Sequence, residues 1–315
     1  MIERKRAWPD LSHLKLTPTI ETLHLWTQVV GKVRLMLTPW ENHGWHVPFY
    51  VSASGLVTGL VPVSGKAFTM EFDFVAEELV LLTTAGDDAR LPLEPQSMSA
   101  FLAAVLALLG RVGLNCTIDP MPSEIAGAVR FDQDHAPRGF DAEVAMTYWR
   151  ALVEVHRVFQ LFRTRFTGKV SPIHLFWGAF DLAVTRFSGR EAPPHPGGAP
   201  FMNDAIAREA YCREVSSAGF WPNLGDPEGP LFYSYAYPAP DRFADATVAP
   251  AAARWDAKLG EFVLPYAAVR GESDPDGALL QFLQSTYEAA ADGADWNRRL
   301  LDREQGQLGV PPKHF

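Results

Sequence analysis

Apolar residues at Ile20, Leu23, Trp26, Val30 and Val33 step along the chain by three and four, which lines one face of a helix and predicts one over Thr19–Val33. The pattern then shortens to strand-like runs at Val33–Leu37, Val47–Val51 and Leu56–Val61. From Phe68 to Phe74 it alternates: Phe68, Met70, Phe72 and Phe74 on one side, Thr69, Glu71 and Asp73 on the other. That is the signature of an antiparallel strand with one face on a core and one in water. Leu79–Thr84 follows a short turn and completes a hairpin. Ser97 or Ser99 supplies a cap for a helix running to Leu109, with Gly110 as its stop.

In the second half, Asp141 is placed to cap a long helix and Glu143 sits in its first turn, where a negative charge suits the helix dipole. Val144, Tyr148, Leu152, Val155, Phe159, Phe162 and Phe166 form its apolar stripe. Strands are predicted at Ile173–Phe180, Leu182–Phe187, Glu214–Phe220, Phe232–Tyr237 and Glu261–Leu264, then a helix over Asp276–Ala290. Two loops rich in Pro and Gly, Gly189–Asn203 and Pro222–Pro230, interrupt this order; loops of that length are either binding loops or surface excursions.

The expected class is therefore α+β, antiparallel sheets covered by long helices. The chain divides into a leader (1–18), a first half (19–130), a second half (131–300) packed with it as one family domain, and a tail (301–315). His46–Tyr50 leading to Leu56–Gly59 is echoed by His174–Trp177 leading to Ala183–Arg186, and Leu91–Leu93 by Leu264–Tyr266, each before an apolar helix. An old duplication of a helix-sheet-helix unit would leave such an echo, although repeats usually resemble one another more strongly.

With 315 residues, 47% hydrophobic and 21% charged, the chain can bury a sizeable core and is not of disordered type. A formal charge of -9 argues against nucleic acid as a partner, since that binding rests on Lys and Arg neutralising phosphates; Arg4, Lys5 and Arg6 are too few to change this. The longest apolar run, Ala100–Leu109, is too short to span a bilayer, and the first twenty residues lack a secretory signal, so no membrane role is expected. Two cysteines, Cys116 and Cys212, make no disulfide framework and suit a reducing cytoplasm.

The stretches Leu25–Lys32, Asn42–His46, His174–Gly198 and Ser216–Pro222 resemble a bacterial family known as domain of unknown function 5996, and the likeness runs from about Leu23 to the last helix. It implies one intracellular bacterial protein with a continuous domain. It carries no catalytic residue with it.

Chemistry must then be read from the residues. His43, His46, His174 and Glu214, with His195 and Asp181 nearby in type, are a potential donor set for a divalent metal if the fold makes them converge. The bland alternative is imidazoles bonded to main-chain carbonyls. No other cofactor is called for, because no Gly-rich phosphate loop occurs between a strand and a helix. His174 and Asp181 are an odd number apart, which in a regular strand puts them on opposite faces; a bulge at Gly178 would restore parity and let the carboxylate orient His174 as a general base. His46 is the other candidate base. Arg186, a cation within an apolar strand, needs a partner there and is the better candidate, over Arg190, to anchor a ligand carboxylate or phosphate. Ser216 and Ser217 lack the Gly-x-Ser-x-Gly elbow of a nucleophile, and Cys212 has no activating neighbour.

Tyr233, Tyr235 and Tyr237 alternate along one strand and so share a face, and with Trp177 and Trp221 among nine tryptophans they suit an aromatic-lined pocket or, equally, a packed core. The expectation is an enzyme acting on a small organic molecule in such a pocket, with a His base, an Arg anchor and metal assistance if the four donors converge; a non-catalytic binding or sensing protein is the alternative.

Overall fold

A computed structural model of the chain describes residues 8–12 and 14–310; the basic Arg4–Arg6 start of the leader and the end of the tail lie outside them. The chain opens with helix α1 (Leu16–Leu37), followed by six strands: β1 (Phe49–Val51), β2 (Gly55–Thr58), β3 (Val61–Val63), β4 (Lys66–Asp73), β5 (Glu78–Thr83) and β6 (Asp88–Pro92). Helices α2 (Met98–Arg111) and α3 (Ala142–Arg163) lead to β7 (His174–Phe176) and β8 (Asp181–Glu191). Then come α4 (Asp204–Ala210), β9 (Arg213–Trp221), β10 (Leu231–Tyr237), β11 (Arg254–Asp256), β12 (Glu261–Pro265), α5 (Tyr266–Gly271), α6 (Pro275–Gly293) and α7 (Arg298–Leu301).

Among the described residues all twelve strands join one antiparallel sheet in the order β11-β12-β10-β9-β8-β7-β1-β2-β4-β5-β6, with β3 beside β4. The two halves of the chain meet at its centre, where Phe49 on β1 pairs with Leu175 on β7. From that seam each half reads outward strand by strand, and each is preceded by a helix of 22 residues, α1 or α3.

Local chemistry accounts for the long elements. Asp141 accepts from the amides of Glu143 and Val144 and starts α3, Ser97 accepts from that of Ala100 and starts α2, and Asp274 does the same for α6 through Gly277. Helix α1 is longer than its period suggested: Val33–Leu37, expected as a strand, continues the helix. An apolar run is ambiguous between the two forms, and the first real stop is Thr38 before Pro39, where the proline ring disfavours helical backbone. The strand expected over Ile173–Phe180 is cut after Phe176 by a four-residue turn, Trp177–Phe180, that leads back into β8.

Side chains alternate across the sheet. Phe68, Met70 and Phe72 of β4, Leu182 and Val184 of β8, and Phe220 of β9 face the helices and are buried. Trp26 of α1 stacks on Phe101 of α2 at 4.7 Å, and Tyr148 of α3 stacks on Phe220 at 5.9 Å. The opposite face of β7–β10 is left to other cover.

Candidate functional site

On that second face the registers align Ala183 of β8 with Gly219 of β9 and Tyr233 of β10, and Thr185 with Ser217 and Tyr235. Small residues in the middle strands leave a hollow, while rings from β10 and from the β7–β8 turn wall it. The chain segments Lys32–Trp40, His43–Val47 and Asp119–Glu124, together with α4, close over the hollow and leave a cavity of about 640 Å³. That is the volume of a small-molecule site.

The hairpin turn positions one wall. Trp177 lies against the bare Cα of Gly31 in α1, where a methyl group would fall 2.3 Å from the indole, and its Nε1 donates to the carbonyl of Val47 at 3.1 Å. His24 Nε2 is 2.7 Å from the carbonyl oxygen of Gly178, which ties the turn to α1. On the floor, the ring of Tyr233 lies across Gly219, whose missing Cβ would sit 2.4 Å from it, and the phenol donates to Asp181. The hydroxyls of Tyr211 and Tyr235 are 2.7 Å apart, and those of Thr185 and Ser217 2.8 Å.

Asp119, Glu124, Asp181 and Glu261 bring four carboxyl groups to this cavity, and Asp119 is the one that draws Lys32. Burial pushes Asp181 up to about 6, partly opposed by the phenol of Tyr233. Glu124 rises to about 7 through burial and the neighbouring charge of Asp181. Glu261 rises to about 7 through burial, Asp181 and Asp256. Glu124 is exposed at the cavity lining and closely crowded by protein. Tyr233 and Tyr235 are held as neutral phenols by burial, well above their usual range.

The imidazoles take varied positions on the same wall. His174 is wholly buried, neither ring nitrogen has a partner, and burial drives it down to about 3, so it is neutral at physiological pH. His46 accepts from the amide of Glu41 at 3.3 Å through Nδ1, which puts its proton on Nε2, and Nε2 is unpartnered. His43 Nδ1 is 2.7 Å from the carbonyl oxygen of Ala210, and Lys169 donates to its Nε2 at 2.6 Å.

Of the residues singled out in the sequence, His43, His46, His174, Asp181, Trp177, Trp221, Tyr233 and Tyr235 all line the cavity. Several other expectations need correction. Arg186 points to the helix side of the sheet, wholly buried, its guanidinium 3.5 Å from the Phe162 ring centre and 4.3 Å from that of Tyr287, and it donates to the carbonyl of Phe162. It anchors α3 and α6 and lies away from the cavity. Glu214 accepts from Ser188 and Arg190 and also lies outside. The donors His43, His46, His174 and Glu214 therefore do not assemble, and among the described residues no group of three His, Cys, Asp or Glu side chains is arranged to hold a metal ion. His174 and Asp181 do share a face, through the hairpin turn and not a bulge at Gly178, yet Asp181 is bonded to Tyr233 and leaves His174 without a partner. Tyr237 shares the tyrosine face but reaches out to the carbonyl of Pro193, and His195 stacks on Tyr211 at 4.6 Å; together they pin the Pro-rich loop.

Glu124, Glu261 and Tyr211 were not singled out from the sequence. Glu261 had a signal: it is the polar residue opening an otherwise apolar strand whose neighbour carries the tyrosines. Glu124 sits in an irregular stretch with no period to place it.

Fold and cavity together define an α+β protein built on one continuous antiparallel sheet with a small-molecule-sized hollow on its open face. Residues 8–303 match the model of a family of unknown function, domain of unknown function 5996, and the chain belongs to that family. No curated protein and no solved structure matches the chain. Among the described residues no helix is long and apolar enough to cross a membrane.

Proposed function

We propose that the protein is an enzyme that takes a small organic molecule into this cavity and moves a proton to or from it with a carboxyl group. The observation that carries the reading is Asp181, buried in the cavity floor, held by the Tyr233 phenol and raised to about 6 beside two further carboxyls at about 7. Groups that titrate near neutrality are suited to general acid–base work, and such shifts concentrate at functional sites. His174, the base expected from the sequence, suits the role less: at about 3 it is too weakly basic to hold a proton at pH 7. We propose instead that His174 and Nε2 of His46 hydrogen-bond a ligand. The experiment is Asp181→Asn against wild type over a library of small metabolites, scored for ligand-induced rise in unfolding temperature and for chemical change of the ligand. Loss of conversion with binding retained supports the assignment; a ligand that wild type binds tightly and never alters favours a binding or sensing protein. That second reading has its own support in Nε2 of His46 and both ring nitrogens of His174, which have no partner in the protein among the described residues.

The finer expectations from the sequence enter here too. We propose that β1-β2-β4-β5-β6 and β7-β8-β9-β10-β12 descend from one duplicated unit, supported by their matching outward order and equal leading helices. Superposing residues 16–111 on 142–293 tests it, and strands that fail to align in this order would end it. We also propose a bacterial, cytoplasmic setting, supported by two free cysteines; recovery of the protein from a periplasmic or extracellular fraction would contradict it.

A further inference from the structure

Carboxyl groups crowded together inside a cavity need either protons or a counter-charge. In this cavity the protein pairs no cation with them: among the described residues neither the Glu124 nor the Glu261 side chain has a hydrogen bond or an ion pair, and the neighbours that act on them electrostatically are other acids. The cavity does contain one ammonium group, Lys32, but its Nζ is committed elsewhere. It donates to Ser123 Oγ at 3.0 Å, lies 5.7 Å from the Trp177 ring centre and is drawn to Asp119. A second and separate observation concerns the polar wall. His174, wholly buried, lines the same cavity with both ring nitrogens unpartnered, and a ligand is the partner the cavity has room for.

We propose that the ligand is an organic cation, a protonated amine or amidinium-type group on a flat apolar body, seated among Glu124, Asp181 and Glu261 against the tyrosine wall. This rests on the cavity being a small-molecule site, as argued above, and names the class of molecule it takes. A bare metal ion is the poorer occupant, because the three carboxyls are not arranged around one point at ligand distance. An organic cation is larger, spreads its charge and can touch acids that stand apart. The rings add to it: Tyr233 and Tyr235 are stacked with centres 6.0 Å apart and Tyr211 stands 6.2 Å from Tyr235, so a cation between the acids meets aromatic faces. An anion here would be repelled, and a neutral ligand would leave the acids holding their protons.

The same geometry makes binding proton-linked. Without a ligand, Glu124 and Glu261 hold protons up to about 7 and Asp181 up to about 6; a bound cation displaces them, so binding releases protons and tightens as pH rises through about 7. The groups facing the acids do not interfere in that range. Tyr211, Tyr233 and Tyr235 stay neutral, and Asp256 behind Glu261 adds only negative charge. On the far wall His43, His46 and His174 are all lowered by burial and so already neutral, and Lys32 keeps to Asp119 and Ser123.

Benzamidine, benzamide and benzoate are near-equal in shape and differ in charge, so titration calorimetry of the three against the full chain is a direct test. Near pH 8 benzamidine is expected to bind about ten-fold tighter than either of the others, a preference that shrinks toward parity near pH 5. Near pH 6.5, comparison of two buffers with different ionisation heats should show proton release for benzamidine alone. The Glu124→Gln, Glu261→Gln double variant, checked for folding by its unfolding midpoint, should lose most of that preference while its affinity for benzamide stays as in wild type. If benzamide or benzoate binds as well as benzamidine, the charge assignment is wrong while the cavity remains a small-molecule site. If none of the three gives heat or raises the unfolding midpoint, both readings fall together.

Discussion

His174 and Arg186 are both polar, both wholly buried and both in the central strands, yet their neighbours give them opposite meanings. Arg186 is held among rings on the helix side and donates to a main-chain carbonyl, so it is part of the core despite its charge; burial pulls it down to about 9. Arg186→Ala removes that packing and leaves a hole between α3 and α6. We expect a loss of about 3 kcal/mol in unfolding free energy by urea titration, with ligand affinity of the folded fraction unchanged. A drop in affinity without a drop in stability would restore it as a ligand anchor. His174 has rings of Trp45, Tyr50 and Phe176 around it and no hydrogen bond. Its folded value lies below its unfolded one, so the stability it contributes is present above pH 6.5 and is lost as pH falls toward about 3. His174→Leu should therefore hold its stability better than wild type between pH 6 and 4, by on the order of 2 kcal/mol, while weakening ligand binding. Equal acid sensitivity of the two proteins would show that His174 is solvated or partnered in solution.

At the scale of elements, the cavity depends on strands that carry almost no side chain where rings must cross. Tyr233 reaches Asp181 only because its ring lies over the bare Cα of Gly219. Gly219→Ala places a methyl group inside that ring, so the ring must lift and the phenol leave Asp181. The expected cost is about 2 kcal/mol, together with a rise of the Asp181 titration above about 6, followed by carboxyl carbon NMR. Tyr233→Phe should give the same rise with less loss of stability, because it deletes the hydroxyl and keeps the ring in place. An unshifted Asp181 in both variants would mean that the phenol does not govern it. The sequence could carry part of this. Alternation on β4 and β10 put the right rings on one face, and Asp141 announced α3 through cap and stripe together. The seven-residue α4 is too short to leave a period, and the wall it helps build is correspondingly invisible in the sequence. Arg186 shows the other kind of loss: its place in an apolar strand implies a partner, but which face it takes depends on the turn at Trp177–Phe180, where the residue pattern is that of an unbroken strand.

Across the whole molecule, one sheet passes through both halves and one hydrophobic core lies behind it, so the seam at Phe49 and Leu175 joins the faces on which the core and the cavity form. Glu124, from the irregular link after α2, and Glu261, from near the far edge of the sheet, meet in that cavity only through this long-range arrangement, which no local pattern encodes. Their charge sets a limit on the stability of the empty protein. Both are raised in the folded state, which therefore binds more protons than the unfolded chain between about 4.5 and 7; the associated stability is full at the acid end of that window and is lost as pH rises through about 7. Water in the open cavity screens part of the effect, so we take about 1 kcal/mol for each residue and less than the shifts alone would suggest. Replacing both with Gln removes the titration without removing bulk. The double variant should thus be more stable than wild type by about 2 kcal/mol near pH 8 and no more stable near pH 4.5, measured by urea unfolding without ligand. Such a cost is what the proposed cation would offset on binding. A double variant that is less stable than wild type near pH 8 would mean that the chain itself neutralises these carboxyls, and the cavity would then have no charge left to offer a cation.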